Sequence, residues 1–356
     1  MTSPSAALRR WFSTRQRELP WRAMDARGLR DPYRTWISEI MLQQTRVEAV
    51  VPYYLTFLEQ FPDVFALAAA SEEEVLQRWA GLGYYRRARY LHAAAKVVAE
   101  EWEGAFPPTA SALQAMPGVG VYTSSAIASL AFGEAVPVVD GNVKRVMARW
   151  AGLELAADDA ALEKASRALG AAWMVDLPEG NLQAPGELNE GLMELGATVC
   201  LPRNADCGAC PLASGCAALA AGTVDSLPLP KKSKKWVDLE MVFLVHRVGV
   251  RVGLEKRASG WSPGLYEPPS AICEATPANP AATNSTIHET TATTLAAEQQ
   301  AALGSYRGVV RHTITHHKIR AHVYTADLPA KTMLENPAEV PLTGLARKVL
   351  NLVPPD

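Results

Sequence analysis

Residues 113–128 read LQAMPGVGVYTSSAIA, and this stretch decides how the N-terminal part of the chain folds. Its apolar spacing predicts two short helices joined by the turn Pro117-Gly118-Val119-Gly120. Glycine lets the backbone turn tightly and approach a ligand closely. The free N–H groups at the start of the second helix can hold a phosphate. An ordinary corner between two helices has the same pattern, so the turn alone does not assign a function.

Two acidic residues flank this stretch in sequence. Asp140 lies in VVDGNVKR (residues 138–145), where a helix N-cap is expected, so capping alone would account for it. Glu39 lies in DPYRTWISEIMLQQTRVE (residues 31–48) and shares one helix face with Gln43. A single glutamate in an amphipathic helix is usually solvated. Each acid therefore has a structural interpretation beside a functional one.

Four of the five cysteines lie close together, in the pattern C-x6-C-x2-C-x5-C. Four thiolates at this spacing can surround one metal centre. Zinc and an iron–sulfur cluster both suit such a ligand set, and buried free thiols are the third interpretation. The cysteines are crowded into one segment, and no secretory leader is visible around Arg9 and Arg10. Both observations favour a protein of a reducing compartment over a secreted protein with a disulfide framework. The candidate ligands are Cys200, Cys207, Cys210 and Cys216.

The length of 356 residues suggests about two domains, and 48% hydrophobic with 20% charged residues excludes global disorder. Residues 1–222 have the apolar spacing of helices, and 237–356 have β-branched, partly alternating segments typical of an α+β domain. The Pro- and Lys-rich segment 223–236 predicts a linker. Residues 271–300 predict a long loop before a short helix. Helices are predicted at 5–18, 33–45, 47–60, 71–79, 84–102, 109–116, 121–132, 140–150, 158–173 and 186–198, and strands at 237–249, 250–257, 308–317 and 318–327.

Positive charge is concentrated locally although the net charge is −2. Of the 35 Lys and Arg residues, 17 lie at 9–34, 78–96 and 231–235. A polyanion responds to such patches because charges more than about 10 Å away are screened. The longest uncharged stretch, 104–133, contains Pro, Gly, Ser and Thr, so we expect a buried segment and no membrane span.

Together these segments resemble the MutY family of adenine DNA glycosylases, which belongs to the helix–hairpin–helix superfamily with endonuclease III. The resemblance is also carried by LPWR (19–22), GLGYY (81–85) and NEGLMELG (189–196), and it is strong over about 220 residues. It implies a mostly α fold: a helix–hairpin–helix DNA glycosylase domain, with the hairpin at about 109–132 and a [4Fe–4S] cluster subdomain at 200–216. A C-terminal α+β Nudix-like domain at 237–356 would follow. The cysteine spacing is similar to that of the family's [4Fe–4S] site.

The resemblance implies base excision repair, in which a flipped adenine is removed opposite 8-oxoguanine or guanine. The partner would be double-stranded DNA and the enzyme a monomer, cytoplasmic and nucleoid-associated in a bacterium, or nuclear or mitochondrial in a eukaryote. Glu39 and Asp140 would be catalytic, with Tyr122 and Asn142 holding Asp140 and the sugar. The implied DNA and base contacts are Arg22 and Glu190 at the adenine, Gln44 and Tyr84 at the 8-oxoguanine, and Gln43, Gly118 and Gly120.

Two features separate members of the superfamily. Tyr122 stands where endonuclease III has the lysine that forms a Schiff base, which favours monofunctional base removal over a pyrimidine glycosylase/lyase. In the C-terminal part, GLYEPP (264–269) is similar to the family's GLWEFP, and the Nudix metal box is absent. Thr315 and His316 align with the family's Phe-Ser-His loop and would contact 8-oxoguanine. A catalytically idle, damage-binding or redox-sensing iron–sulfur protein is the rival of another class, and the intact acids oppose it.

Overall fold

The computed structural model describes residues 3–231, 235–273, 284–329 and 332–355. The chain divides into two units: Met1–Ala69 with Tyr90–Ser233, and Ala70–Arg89 with Lys234–Asp356. The sequence places residues 70–89 with the helical domain, but the structure groups them with the C-terminal residues. The reason is packing over a long sequence separation: the Tyr85 hydroxyl donates to the Leu342 carbonyl at 3.1 Å. Of the predicted linker, residues 232–234 lie outside the described residues.

The predicted helices are confirmed, with ends that differ by at most three residues. The helix α4 was not predicted, because six residues are too few to show a helical period. It begins where the Asp63 side chain accepts a hydrogen bond from the Ala66 backbone at 2.8 Å. The helices from residue 3 to residue 231 are α1 (Pro4–Arg15), α2 (Pro32–Leu42), α3 (Val47–Gln60), α4 (Val64–Ala69), α5 (Glu72–Trp79), α6 (Arg86–Glu101), α7 (Ala110–Leu113), α8 (Val121–Ala131), α9 (Gly141–Ala151), α10 (Ala160–Val175), α11 (Ala184–Thr198) and α12 (Ala217–Ala220).

Helix α8 is the centre of the first unit. Residues 123–131 are all buried and are mostly Ser and Ala, whose small side chains let α2, α7 and α11 pack closely around it. The buried segment predicted at 104–133 is thus confirmed for residues 123–131 only, because many residues between 105 and 121 are exposed. In the described ranges we find no helix with the length and apolarity needed to cross a bilayer.

The second unit is built on a four-stranded sheet of order β6-β1-β8-β7, in which β1 runs parallel to β8 and β7 antiparallel to it. Its strands are β1 (Val237–Val245), β2 (Arg247–Val248), β3 (Arg251–Gly253), β4 (Glu255–Lys256), β5 (Tyr266–Glu267), β6 (Ser270–Ile272), β7 (Ala302–Ile314), β8 (His317–Asp327) and β9 (Leu334–Glu335). One sheet face packs on α14 (Gly344–Leu350) and the other on α13 (Asn284–Glu298).

Helix α13 corrects the bounds of the loop predicted at 271–300, because the short helix expected after this loop already begins at Asn284. It has 15 residues and buries Ala292, Leu295 and Ala296 against the sheet. Its many threonines have low helix propensity, which obscured where the helix begins, and burial of the apolar face outweighs that cost. Residues 274–283 of the predicted loop lie outside the described residues.

Candidate active site

A cavity of about 800 Å³ lies in the first unit, a size typical of ligand sites. Residues from η1, a 3₁₀ turn at Pro20–Arg22, and from α2, the 117–120 turn, α8, α9 and α11 line it. The structure therefore brings together segments that are up to about 170 residues apart in sequence. The predicted site residues in its lining are Arg22, Glu39, Gln43, Gln44, Gly118, Gly120, Tyr122, Asp140, Asn142 and Glu190.

Glu39 lies on α2 and is only 6% exposed. Asp31 is the N-cap of α2, and its side chain accepts a hydrogen bond from the Arg34 backbone at 2.8 Å. Burial raises the pKa of Glu39 from 4.5 to about 7. The hydrogen bond that the Tyr122 hydroxyl donates to Glu39 Oε2 at 2.8 Å lowers this pKa and offsets only part of the rise. The nearby Glu190 carboxylate raises this pKa further. Glu39 can therefore carry a proton near neutral pH, as a general acid requires.

This raised pKa predicts that Glu39→Gln gains stability relative to the parent as the pH rises. Between about pH 4.5 and 7 the unfolded parent loses the Glu39 proton while the folded protein keeps it, so the free energy of unfolding falls. Above pH 7 the free energy of unfolding of the parent is lower by of order 3 kcal/mol. The variant shows no such fall from residue 39, because glutamine does not titrate. Urea unfolding at pH 5 and pH 8 measures the difference in free energy of unfolding between variant and parent, and Glu59→Gln, at an exposed residue, is the control. Parallel pH profiles of Glu39→Gln and parent would contradict the assignment.

Asp140 is the N-cap of α9. Its Oδ1 accepts from the Val143 backbone at 2.7 Å and its Oδ2 accepts from Asn142 Nδ2 at 3.0 Å. Burial raises the pKa of Asp140, and these two donors oppose the rise. The positive end of the α9 dipole also favours the ionised form. Asp140 can therefore cap α9 and also present an ionised carboxylate to the cavity.

Asn142 links Asp140 to the cysteine-bearing loop. Arg145 Nη2 donates to Asn142 Oδ1 at 2.9 Å, and Arg145 Nε donates to the Cys200 carbonyl at 2.8 Å. A Cβ on Gly196 would lie 2.6 Å from Asn142 Cβ, so glycine is what allows α11 to approach α9 here. The carboxamide is held on both sides, which fixes the orientation of the Asp140 carboxylate.

Tyr122 lies in the first turn of α8 and bonds a different acid from the one expected. Its hydroxyl donates to Glu39, not to Asp140, and also lies 3.6 Å from Met193 Sδ. Burial raises the pKa of Tyr122 well above its usual value. The phenol therefore stays protonated and acts as a donor to Glu39.

A buried network of arginines and glutamates forms one wall of the cavity. Arg22 Nε donates to Glu190 Oε1 at 3.0 Å, and its Nη2 donates to Glu194 Oε2 at 2.9 Å. Arg30 Nη2 donates to Glu190 Oε2, and Arg17 binds Glu194. Arg17, Arg30 and Glu194 were not predicted from the sequence. The signal was present, because Glu190 and Glu194 stand four residues apart on one face of α11.

The 117–120 turn and the end of α2 form the rim. Gly118 has φ +76°, and a Cβ there would lie 2.5 Å from Tyr90 Cβ, so only glycine fits. Gly120 is the N-cap of α8 and has open space around it. Gln44 has φ +58°, a strained conformation for a non-glycine residue that is typical of functional sites. Gln43 Nε2 donates to Thr123 Oγ1 at 3.2 Å.

The four clustered cysteines line one small cavity of about 30 Å³, and none is in a disulfide. Arg149, which is 2% exposed, directs Nη1 to Cys200 Sγ at 3.3 Å. Burial raises the pKa of the Cys210 thiol to about 11. Within the described ranges, no three His, Cys, Asp or Glu residues are arranged to hold a single metal ion.

A separate cavity of about 320 Å³ lies in the second unit. Tyr84 and Thr315 line it, as do His312, Arg257 and Glu267, which the sequence analysis did not assign. Thr315 has φ +55° and its hydroxyl donates to the Ile314 carbonyl at 2.7 Å. His316 is exposed and is not part of the lining. Of the four residues expected at 8-oxoguanine, Tyr84 and Thr315 line this cavity, whereas His316 does not and Gln44 lines the cavity of the first unit.

Comparison with known proteins assigns the family. The profile described as "HhH-GPD superfamily base excision DNA repair protein" matches residues 37–171, which include both acids. The adenine DNA glycosylase of Mycolicibacterium smegmatis is 40% identical over 218 residues, covering 60% of this chain and 70% of the relative. The chain belongs to the adenine DNA glycosylase family. The fold is accordingly that of a helix–hairpin–helix glycosylase with a sheet-containing C-terminal part.

Other matches agree with this family. The human adenine DNA glycosylase is 43% identical, covering 64% of this chain but only 43% of the relative, and the Arabidopsis thaliana one is 39% identical, covering 74% and 46%. The chain thus spans less than half the length of these two relatives. Among solved structures, a thermostable thymine-DNA glycosylase has a TM-score of 0.51 and 28% identity, covering 61% of this chain and 95% of that one.

Proposed function

We propose that the chain removes adenine mispaired with 8-oxoguanine or guanine from double-stranded DNA, by hydrolysis of the N-glycosidic bond. The observation that carries the proposal is the pair Glu39 and Asp140 in one cavity, each in its own environment. Glu39 is buried against a phenol, with its pKa near 7. Asp140 accepts two N–H bonds at a helix N-terminus. Cleavage of a glycosidic bond uses two carboxyl groups with such separate roles.

The proposed reaction begins with adenine flipped out of the duplex into the cavity. Glu39 donates its proton to adenine N7, so that the base leaves as a neutral molecule. The electron pair of the glycosidic bond goes to the base, and the Asp140 carboxylate stabilises the resulting sugar cation. A water molecule then attacks C1′ through its oxygen. Glu39, now ionised, accepts the proton that this water loses. This step restores the starting protonation state.

The cavity lining supports monofunctional chemistry. A lyase needs an amine that attacks the sugar to form a Schiff base. Among the described residues the lining contains no lysine, and Tyr122 donates to Glu39. Lys144 lines a neighbouring cavity beside Asp140, where it could trap an aldehyde product only as a slow side reaction. Strand cleavage should therefore require alkali after base removal.

The experiment that tests this function compares opposing bases. Duplexes with adenine opposite 8-oxoguanine, guanine or thymine are incubated with the protein and treated with alkali. We expect scission at adenine opposite 8-oxoguanine and guanine, and none opposite thymine. Equal scission of all three duplexes, or scission at a pyrimidine, would favour another glycosylase.

The second unit would supply recognition of 8-oxoguanine, in a Nudix-like domain made of residues 237–356 together with 70–89. The support is the 320 Å³ cavity, which Thr315 lines together with the GLGYY segment at 81–85. Thr315 offers a hydroxyl that can exchange its bond to Ile314 for one to a base edge. A truncation at residue 237 would remove the packing partner of residues 70–89, so point substitutions are the cleaner test.

Joint replacement of Thr315 and His316 by alanine should reduce the preference for 8-oxoguanine over guanine opposite adenine. A polar base-edge contact contributes about 1–3 kcal/mol of discrimination, or roughly 5- to 150-fold. The ratio of single-turnover rates on the two duplexes measures it, with exposed Thr293→Ala on α13 as the control. An unchanged ratio in the double variant would refute a recognition role for this turn.

The four cysteines suit a [4Fe–4S] cluster, because all four residues line one cavity and Arg149 places positive charge beside Cys200. Thiolate clusters carry net negative charge that such a neighbour offsets. Cys200, Cys207, Cys210 and Cys216 would hold the cluster, which would order the loop around Arg203 for phosphate contact and take no part in base removal. Arg145 ties the same loop to Asn142 and so to the catalytic cavity.

We expect purified protein to be yellow-brown, with broad absorbance near roughly 400 nm and bound iron. Cys207→Ser and Cys210→Ser should lose colour, stability and DNA affinity together, since metal binding is coupled to local folding. Cys273→Ser, which lies outside the cluster, is the matched control. Stoichiometric zinc without iron would overturn the cluster assignment.

A further inference from the structure

We propose that Asn189 on α11 is a positioning residue for base removal, because it holds the backbone that carries Asp140 in its place relative to Glu39. The inference rests on the proposed function, since it concerns how the two acids act together. Asn189 does not line the cavity and is 0% exposed. Its effect on the reaction must therefore pass through the residues that it binds.

The segment that leads to Asp140 needs support from outside regular secondary structure. Residues 133–140 belong to neither a helix nor a strand, and Asp140 itself is extended, with φ −103° and ψ −172°. Val138 and Val139 are only 1% and 6% exposed. A buried backbone N–H or C=O group without a partner costs about as much free energy as a lost hydrogen bond. The partners of this segment must therefore come from side chains.

Asn189 supplies two of these partners with one side chain. Its Oδ1 accepts from the Val138 backbone at 2.9 Å, and its Nδ2 donates to the Val136 carbonyl at 2.9 Å. The carboxamide thus binds the segment as a residue of a neighbouring parallel strand would, through the groups on either side of residue 137. This pairing requires a donor and an acceptor on one short side chain, which asparagine has and alanine lacks.

Helix α10 contacts the same segment at Pro137. Arg167 Nη1 donates to the Pro137 carbonyl at 3.4 Å, and a Cβ on Gly170 would lie 2.8 Å from Pro137 Cβ, so α10 packs closely there. Arg167 is half-buried and also pairs with Glu163 at 3.2 Å. Asn189 is fully buried and makes the two shorter bonds, so it is the firmer support of the segment.

The helix that carries Asn189 also contacts the surroundings of the other acid. Met193 lies one turn after Asn189 on the same face of α11. Its Sδ lies 3.6 Å from the hydroxyl of Tyr122, which donates to Glu39. The bonds of Asn189 therefore fix the Asp140 segment to the helix that packs beside the donor to Glu39. A shift of the segment along α11 would change the distance between the two acids.

Asn189→Ala should lower the single-turnover rate of adenine release by about 10- to 100-fold, because a displacement of about 1 Å at a reacting group can cost this much. Duplex affinity, measured by fluorescence anisotropy, should change less than about twofold, since phosphate contacts supply most of it. Asn181→Ala is the matched control. Asn181 accepts from the Gln183 and Ala184 backbone at the start of the same helix, and its loss should leave the rate unchanged. A fall in affinity as large as the fall in rate would overturn the proposal.

A double-mutant cycle tests whether Asn189 acts through Asp140. In the Asp140→Asn background, Asn189→Ala should slow the remaining adenine release less than about threefold, because the carboxylate that it would displace is already absent. An equal loss in both backgrounds would overturn the proposal, since it would indicate a general loss of structure. If Asn189→Ala does not fold, Asn189→Ser replaces it with the same expected results. Failure of both variants to fold would also overturn the positioning role.

Asn189→Asp provides the rescue by a conservative variant. Burial raises the pKa of a carboxyl, so the introduced group is protonated at pH 5. A protonated carboxyl has one acceptor oxygen and one O–H donor, and it can replace the carboxamide at both Val138 and Val136. At pH 5 the rate of Asn189→Asp should lie within about threefold of the parent rate, while Asn189→Ala stays 10- to 100-fold slower. An equal loss in the two variants at pH 5 would overturn the proposal. Adenine release by the unmodified protein decides the proposed function separately.

Discussion

Glu39→Gln should lower the single-turnover rate of adenine release by at least about 10²-fold, the low end for loss of a general acid. Glutamine keeps the size of the side chain and can still accept the Tyr122 hydrogen bond, but it cannot deliver a carboxyl proton. Duplex affinity should be nearly unchanged because phosphate contacts supply most of it. Quenched-flow measurement with enzyme in excess of an adenine:8-oxoguanine duplex gives the rate.

The control for this substitution is Glu59→Gln, which removes an exposed carboxyl from α3. Its rate should match that of the parent. The parent rate itself should fall as the pH rises through about 7, because the protonated fraction of Glu39 falls there. Full adenine release by Glu39→Gln would mean that Glu39 is a buried structural residue and that another group protonates the base.

Asp140→Asn should lower the same rate by at least about 10²-fold, because it removes the negative charge beside the forming sugar cation. Asparagine is as good an N-cap as aspartate, so α9 should keep its stability. The matched control is Asp159→Asn, since Asp159 caps α10 in the same way, accepting from the Ala161 backbone at 2.8 Å, and does not line the cavity. Near-normal turnover in Asp140→Asn would reduce its role to capping.

Both acids were predicted as catalytic from the short motifs that resemble the family, since local structure alone suggested a helix cap for Asp140 and a solvated residue for Glu39. Asp140 caps the helix that its own sequence begins, and Glu39 lies on a helix that starts at Asp31-Pro32. The partner of Tyr122 was predicted wrongly. Tyr122 and Glu39 are 83 residues apart, and their contact depends on how α8 packs against α2. No local pattern encodes that packing.

The parts that the sequence did not predict share this dependence on distant contacts. Residues 70–89 belong with the C-terminal unit because Tyr85 bonds the Leu342 carbonyl, 257 residues away. Arg30 lies in the cavity wall, where it donates to Glu190, a residue 160 positions away. Helix α13 begins earlier than predicted because burial of three apolar side chains on the sheet outweighs the low helix propensity of its threonines. The family motifs predicted the candidate acids, and tertiary packing determined which residues contact them.

The most direct test of the central claim incubates the unmodified protein with a duplex carrying adenine opposite 8-oxoguanine. Free adenine is quantified by chromatography, and strand scission is measured before and after alkali. With Glu39 as the acid, Asp140 as the carboxylate and Tyr122 in place of an amine, we predict stoichiometric free adenine and scission only after alkali. Absence of free adenine, or scission before alkali at the rate of base release with a borohydride-trapped adduct, would contradict the account.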